Sequence, residues 1–105
     1  MRKKVEDYVL SMPNAVLEYP FGEEVAVYKA EGKMFALVSE TADPVRISLK
    51  CDPKLSEILR EKYETVMPGY HLNKKHWNTI VLSGQLPWGE VQSLIRHSHD
   101  LATKN

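Results

Sequence analysis

Apolar residues at Val5, Tyr8, Val9 and Met12 recur at the i, i+3, i+4, i+7 spacing of one helical face, and Pro13 stops that helix. The period then drops to two. Residues 15–19 read as a short strand closed by Pro20-Phe21-Gly22, with Phe21 expected to plug the edge of the core. Residues 25–30 and 33–38 form a hairpin around Glu31-Gly32, and a two-residue loop fixes the strand register. Pairing Ala30 with Lys33 places Val25, Val27, Lys29, Met34, Ala36 and Val38 on one face. Ala26, Tyr28, Ala30, Lys33, Phe35 and Leu37 then occupy the other. Both faces carry apolar side chains, so the hairpin is central, with helices over one side and the second face partly covered or open to a partner.

Val45, Ile47 and Leu49 alternate with Arg46, Ser48 and Lys50, the pattern of a one-sided strand with a basic outer face. Asp52 caps a second helix with Pro53 at its first position, and Leu55, Ile58, Leu59 and Tyr63 are its expected buried face. Residues 65–67 read as strand, Pro68-Gly69 as a turn, and residues 79–82 as a strand ending at Ser83-Gly84. Pro87 opens a last helix whose inner face is Val91, Leu94, Ile95, Ser98 and Leu101 or Ala102. The order is helix, three or four strands, helix, two strands, helix. This is an α+β arrangement, an antiparallel sheet with helices packed on one face, and residues 1–105 form one domain.

Composition narrows the function classes. Apolar residues make up 43% and charged residues 27% of the chain, as in ordinary globular proteins. Fourteen basic side chains balance fourteen acidic ones, so the body as a whole is no polyanion binder, although a local basic face is compatible with neutrality. Cys51 is the only cysteine, which rules out an intramolecular disulfide and gives no sign of an oxidising compartment. The basic N-terminus is interrupted by Glu6 and Asp7, unlike a signal peptide, and no apolar run approaches the ~20 residues needed to span a bilayer. The expected location is the cytoplasm, away from membranes, as a monomer or weak homodimer.

Candidate chemistry concentrates in residues 68–79, PGYHLNKKHWNT. Two histidines, two adjacent lysines, two asparagines, a tyrosine and a tryptophan share this segment. Cations with neighbouring amides and flat rings suit a nucleic acid, whose phosphates need spaced positive charge and whose bases accept stacking and hydrogen bonds. The candidate nucleic-acid-binding residues are Arg46, Lys50, His71, Asn73, Lys74, Lys75, His76 and Asn78. Arg46 and Lys50 share one strand face ~13–14 Å apart, about two phosphate spacings along one DNA strand. Lys74 and Lys75 occupy a hairpin-like projection, and Asn73, His76 and Asn78 are the donors placed for base edges or backbone.

Three blocks, PFGEEVAVYKAEGKMFAL at residues 20–37, ISLKCDP at 47–53 and MPGYHLNKKHWNTIVLSG at 67–84, also carry a resemblance to the MmcQ/YjbR family of small bacterial proteins. It runs over residues 13–101, nearly the whole chain. The resemblance implies a compact α+β fold related to that of secretion chaperones, and a role in DNA binding inferred from a pair of protruding wings. Fold alone does not establish that role. One departure lies in the last helix, IRHSHDL, where an aromatic near His99 is expected; it leaves C-terminal packing open.

Other chemistries fit less well. His71 and His76 lie five residues apart with no cysteine or carboxylate pair close in sequence, so no metal is expected. Trp77, entering a strand, reads as a core anchor, Tyr70 as the better exposed ring, and Trp88 as a surface or staple residue. Cys51 reads as a buried thiol, and the scattered glycines form no phosphate loop, so neither an enzyme nor a cofactor is expected. Two rivals to DNA binding stand. One is a protein-interaction module using an apolar sheet face around Tyr28, Phe35 and Leu37, or a sheet edge. The other is a ligand pocket, which requires His71 and His76 to converge with Asp52 or Glu64.

Overall fold

The computed structural model describes residues 2–69 and 71–104. Its elements run α1 (Arg2–Leu10), β1 (Ala15–Glu18), β2 (Val25–Ala30), β3 (Lys33–Ser39), β4 (Arg46–Lys50), α2 (Pro53–Lys62), β5 (Val66–Pro68), β6 (Trp77–Val81) and α3 (Trp88–Thr103). The strands make one antiparallel six-stranded sheet in the order β1-β2-β3-β4-β6-β5. The chain is therefore α+β, with helices on one face of the sheet.

Local chemistry accounts for the boundaries. The Asp52 carboxylate accepts from the Lys54 and Leu55 N–H groups at 3.1 and 3.2 Å, satisfying free donors at the start of α2, and Pro53 has no N–H there to satisfy. Glu31 and Gly32 both adopt positive φ, 54° and 79°, the requirement of the turn type whose twist matches a two-residue hairpin.

The hairpin departs from the expected faces. Ala30 does pair with Lys33, but a bulge after Tyr28 shifts the register, so Tyr28 faces Ala36 and Ala26 faces Val38. One extra residue on one strand moves every side chain beyond it to the other side. Ala36 and Val38 thus join Ala26 and Tyr28 beneath the helices, while Leu37 joins Val25 and Val27 on the helix-free face.

The core beneath the helices joins Val5 and Val9 of α1, Leu59 of α2, and Val91, Leu94, Ile95 and Ala102 of α3 to Tyr28, Val38, Ile47, Leu49 and Ile80 of the sheet. Within the expected helix faces, Ile58 is 59% exposed and Ala102, not Leu101, turns inward. Ser98 locks α3 to the sheet, donating to the Phe35 carbonyl at 2.5 Å and accepting from the Lys50 N–H at 2.8 Å. His99 supplies the ring the C-terminal packing needs. It meets Phe35 edge-on with centroids 5.1 Å apart, and its Nε2–H donates to the Pro13 carbonyl at 2.8 Å.

Candidate functional site

The helix-free face of the sheet and the segment joining β5 to β6 form one surface. Alternation along β4 sends Arg46, Ser48 and Lys50 to this side, and their β6 partners Val81, Thr79 and Trp77 follow. Ser48 and Thr79 hydroxyls lie 2.8 Å apart across the two strands.

Gly69 and residues 71–76 fold back over Trp77. The Gly69 N–H donates to the Trp77 carbonyl at 2.8 Å, and a Cβ at position 69 would lie 2.7 Å from Trp77 Cβ, so only glycine permits this approach. Trp77 is accordingly buried beneath its own loop, outside the core under the helices. The Asn73 side chain accepts the Lys75 N–H at 2.9 Å and closes the tip. Arg60 holds the loop from behind. Its guanidinium donates to the carbonyls of Lys74 and Trp77 at 2.5 and 3.2 Å and, through Nε, to Asn78 Oδ1 at 2.8 Å.

The result is an acid-free loop carrying Lys75 and His76 outward, with the Lys74 ammonium 3.3 Å from the Gly69 carbonyl. Arg46, Lys50, Lys74 and Lys75 have no carboxylate partner among the described residues, and the same holds for Lys4, Lys54 and Lys62 elsewhere; Lys3 pairs with Asp7 and Lys29 with Glu18. Lys50 extends over the Trp77 ring, 5.8 Å from its centroid.

Between the loop, the turn before β2 and the sheet lies a cavity of about 470 Å³. Val25 and Leu37 supply apolar floor, Phe21 and Leu72 line its sides, and Arg46, His71, Ser48 and Thr79 bring polar groups to it. His71 sits in the left-handed region, φ 59°. Phe21 does not plug the core edge; it is 66% exposed at this cavity. A second, smaller hollow of about 320 Å³ is bordered by Lys50, Cys51, Asp52 and His76.

The sequence-derived candidates thus separate. Arg46 and His71 border the larger hollow, Lys50 and His76 the smaller one, Lys74 and Lys75 are exposed on the loop, and Asn73 shapes its own turn. Asn78 is a correction. Only 2% exposed, it bridges Arg60 to Ser56 and cannot meet a partner. An asparagine beside a histidine-lysine run looks like a surface donor, but its strand position alternates inward. His71 and His76 line different hollows and do not converge, and no group of three potential metal ligands occurs among the described residues. Tyr70 lies outside the described residues. Burial pushes the Cys51 thiol up, with the Asp52 charge adding to it against a Ser56 hydrogen bond and the Arg60 charge, so it stays protonated. Phe21, Leu72, Ser48 and Thr79 were not singled out as site residues. Only the β4 alternation signalled the side on which Ser48 lies.

The YjbR family model matches residues 10–101. This chain belongs to the YjbR family. It is 38% identical over 92 residues to the uncharacterised protein YbdF of Escherichia coli O157:H7, covering 88% of this chain and 75% of that protein. It is 35% identical over 95 residues to the uncharacterised protein YjbR of Escherichia coli K12, covering 90% and 80%. Among solved structures, a Deinococcus radiodurans protein, DR2400, matches with a TM-score of 0.95 at 37% identity, covering 100% of this chain and 80% of that one. A Pseudomonas syringae protein matches with a TM-score of 0.83 at 30% identity, covering 97% and 98%. These relatives agree with the family resemblance carried by the three sequence blocks.

Proposed function

We propose that this protein binds DNA in the cytoplasm through the β5–β6 loop and the adjoining face of β4, by phosphate contacts with little sequence preference. The observation that supports the reading is that Lys74 and Lys75 stand on an acid-free loop and Arg46 and Lys50 on β4, all four without carboxylate partners among the described residues. A cation already neutralised by a neighbouring carboxylate releases no counterion from DNA; these four are available for that exchange. The limited selectivity follows from Asn78 and Trp77. Both are buried, which leaves Asn73 and His76 as the donors placed for base edges. Replacing Lys74 and Lys75 together by alanine is expected to weaken binding to all sequences alike and to lower the salt slope by about 2. Unchanged affinity and slope in that variant remove the loop from the interface.

A protein partner is the second reading, through a sheet edge and not through the apolar face that was its other expected ground. Tyr28 and Phe35 are buried, so no apolar sheet face is formed around them. Edge strand β1 exposes Val16 (54%) and Leu17 (38%) beside unpaired backbone groups, a place where a partner strand can add. Val16→Lys with Leu17→Lys blocks such pairing, and a change in molar mass by light scattering is its readout.

A further inference from the structure

We propose that the cavity on the helix-free face is a binding site for a small aryl monocarboxylate, with Arg46 as the residue that holds the carboxylate. Its volume, about 470 Å³, lies within the ~300–1,000 Å³ of small-molecule sites, and a few polar groups set in apolar walls are their usual make-up. The charge in the lining has one sign. Arg46 is a permanent cation, and among the described residues no aspartate or glutamate lines the space, so an anion is the complementary guest. The Arg46 guanidinium makes no hydrogen bond or ion pair among the described residues. A guanidinium in that condition presents its planar fork of donors to a carboxylate.

Arg46 is the one permanently charged side chain in the described lining, and a single guanidinium matches a single negative charge better than the double charge of a phosphate monoester. The remaining walls specify the body of the guest. Val25 and Leu37 lie on the sheet floor, and the Phe21 ring is largely exposed beside it. A planar ring laid on that floor covers apolar surface from both sides and gains an aromatic contact. The Ser48–Thr79 hydroxyl pair adds a polar strip beside Arg46.

The test is a titration of the isotope-labelled full chain with 2-naphthylacetate and, separately, its uncharged amide, followed by amide correlation spectra. No nucleic acid is present, so the outcome is independent of DNA binding. The acid is expected to shift Leu37, Ser39, Arg46, Ser48 and Thr79 saturably and to bind at least about tenfold more tightly than the amide. Arg46→Gln should lower the acid's affinity to that of the amide while the spectrum stays dispersed. Ala42→Phe, which fills the cavity from an exterior loop, should abolish binding of both. Equal affinity for acid and amide, an unchanged acid affinity in Arg46→Gln, or an absence of saturable shifts at these residues in wild type overturns the proposal.

Discussion

Arg60 Nε donates to Asn78 Oδ1 at 2.8 Å, tying α2 to β6 directly behind the basic loop. The far end of the same amide donates to Ser56 at 3.1 Å, and the guanidinium also reaches the carbonyls of Lys74 and Trp77. Arg60 thus anchors from α2 the loop whose outer side carries the cations. Arg60→Ala is expected to cost roughly 3 kcal/mol: one hydrogen bond to a charged group contributes ~1.5–3 kcal/mol, and the three lost here are only part-buried or exposed and do not add in full. Urea unfolding measures the loss. In spectra of the folded variant, amides 72–77 should shift and the β2–β3 hairpin should not.

Asn78→Ala separates structure from recognition. It leaves Arg60 and Ser56 without their partner, a cost of about 1–3 kcal/mol. DNA affinity of the folded variant is expected to match wild type, measured by anisotropy at a temperature where the variant is fully folded. A selective loss of affinity there returns Asn78 to the interface.

Two glycine substitutions have opposite expected signs. Gly69→Ala forces a contact of 2.7 Å against Trp77 Cβ, and overpacking of this kind costs typically ~1–3 kcal/mol. Displacement of the loop should also change the Trp77 fluorescence. Gly89→Ala, in the first turn of α3 with nothing within 4 Å of the added carbon, is expected to stabilise by about 0.5 kcal/mol. Thermal unfolding of both variants checks the pair.

Glu6 supplies a pH dependence. Burial raises its pKa above the ordinary carboxylate value, and a hydrogen bond and charge from Glu40 raise it further, against smaller opposing effects of Arg2 and Tyr28. The folded chain therefore holds a proton that the unfolded chain has released in the interval between the ordinary value and the raised one. Stability from this group is complete below the ordinary value and is lost as pH rises through the raised value. Glu6→Gln keeps the neutral form at every pH. Its Tm should exceed wild type at neutral pH, and the difference should shrink in acid.

Much of the fold is legible because its signals are local. Asp52-Pro53 starts α2, the alternation of Val45 to Lys50 gives β4 its two sides, and Glu31-Gly32 sets the hairpin turn. The bulge after Tyr28 left no mark in the apolar pattern, since both sides of the hairpin are apolar, and it decided which residues the helices cover. The candidate site was legible as a basic segment but not as a shape. That β6 lies between β4 and β5 depends on long-range packing, and this order brings Thr79 beside Ser48. Asn78 looked exposed because its neighbours are polar; strand alternation and the distant Arg60 decide otherwise. Phe21 looked like a core plug because an aromatic between proline and glycine has no periodicity to place it.

If the unneutralised cations on the loop and β4 meet DNA phosphates, binding must weaken with salt. The most direct measurement is fluorescence anisotropy of wild-type protein against labelled double-stranded DNA over a salt series. Four available cations predict binding whose log affinity falls against log salt with a slope of about −3 to −4. No binding at ~50 mM salt, or an affinity indifferent to salt, would rule out a phosphate interface on this surface.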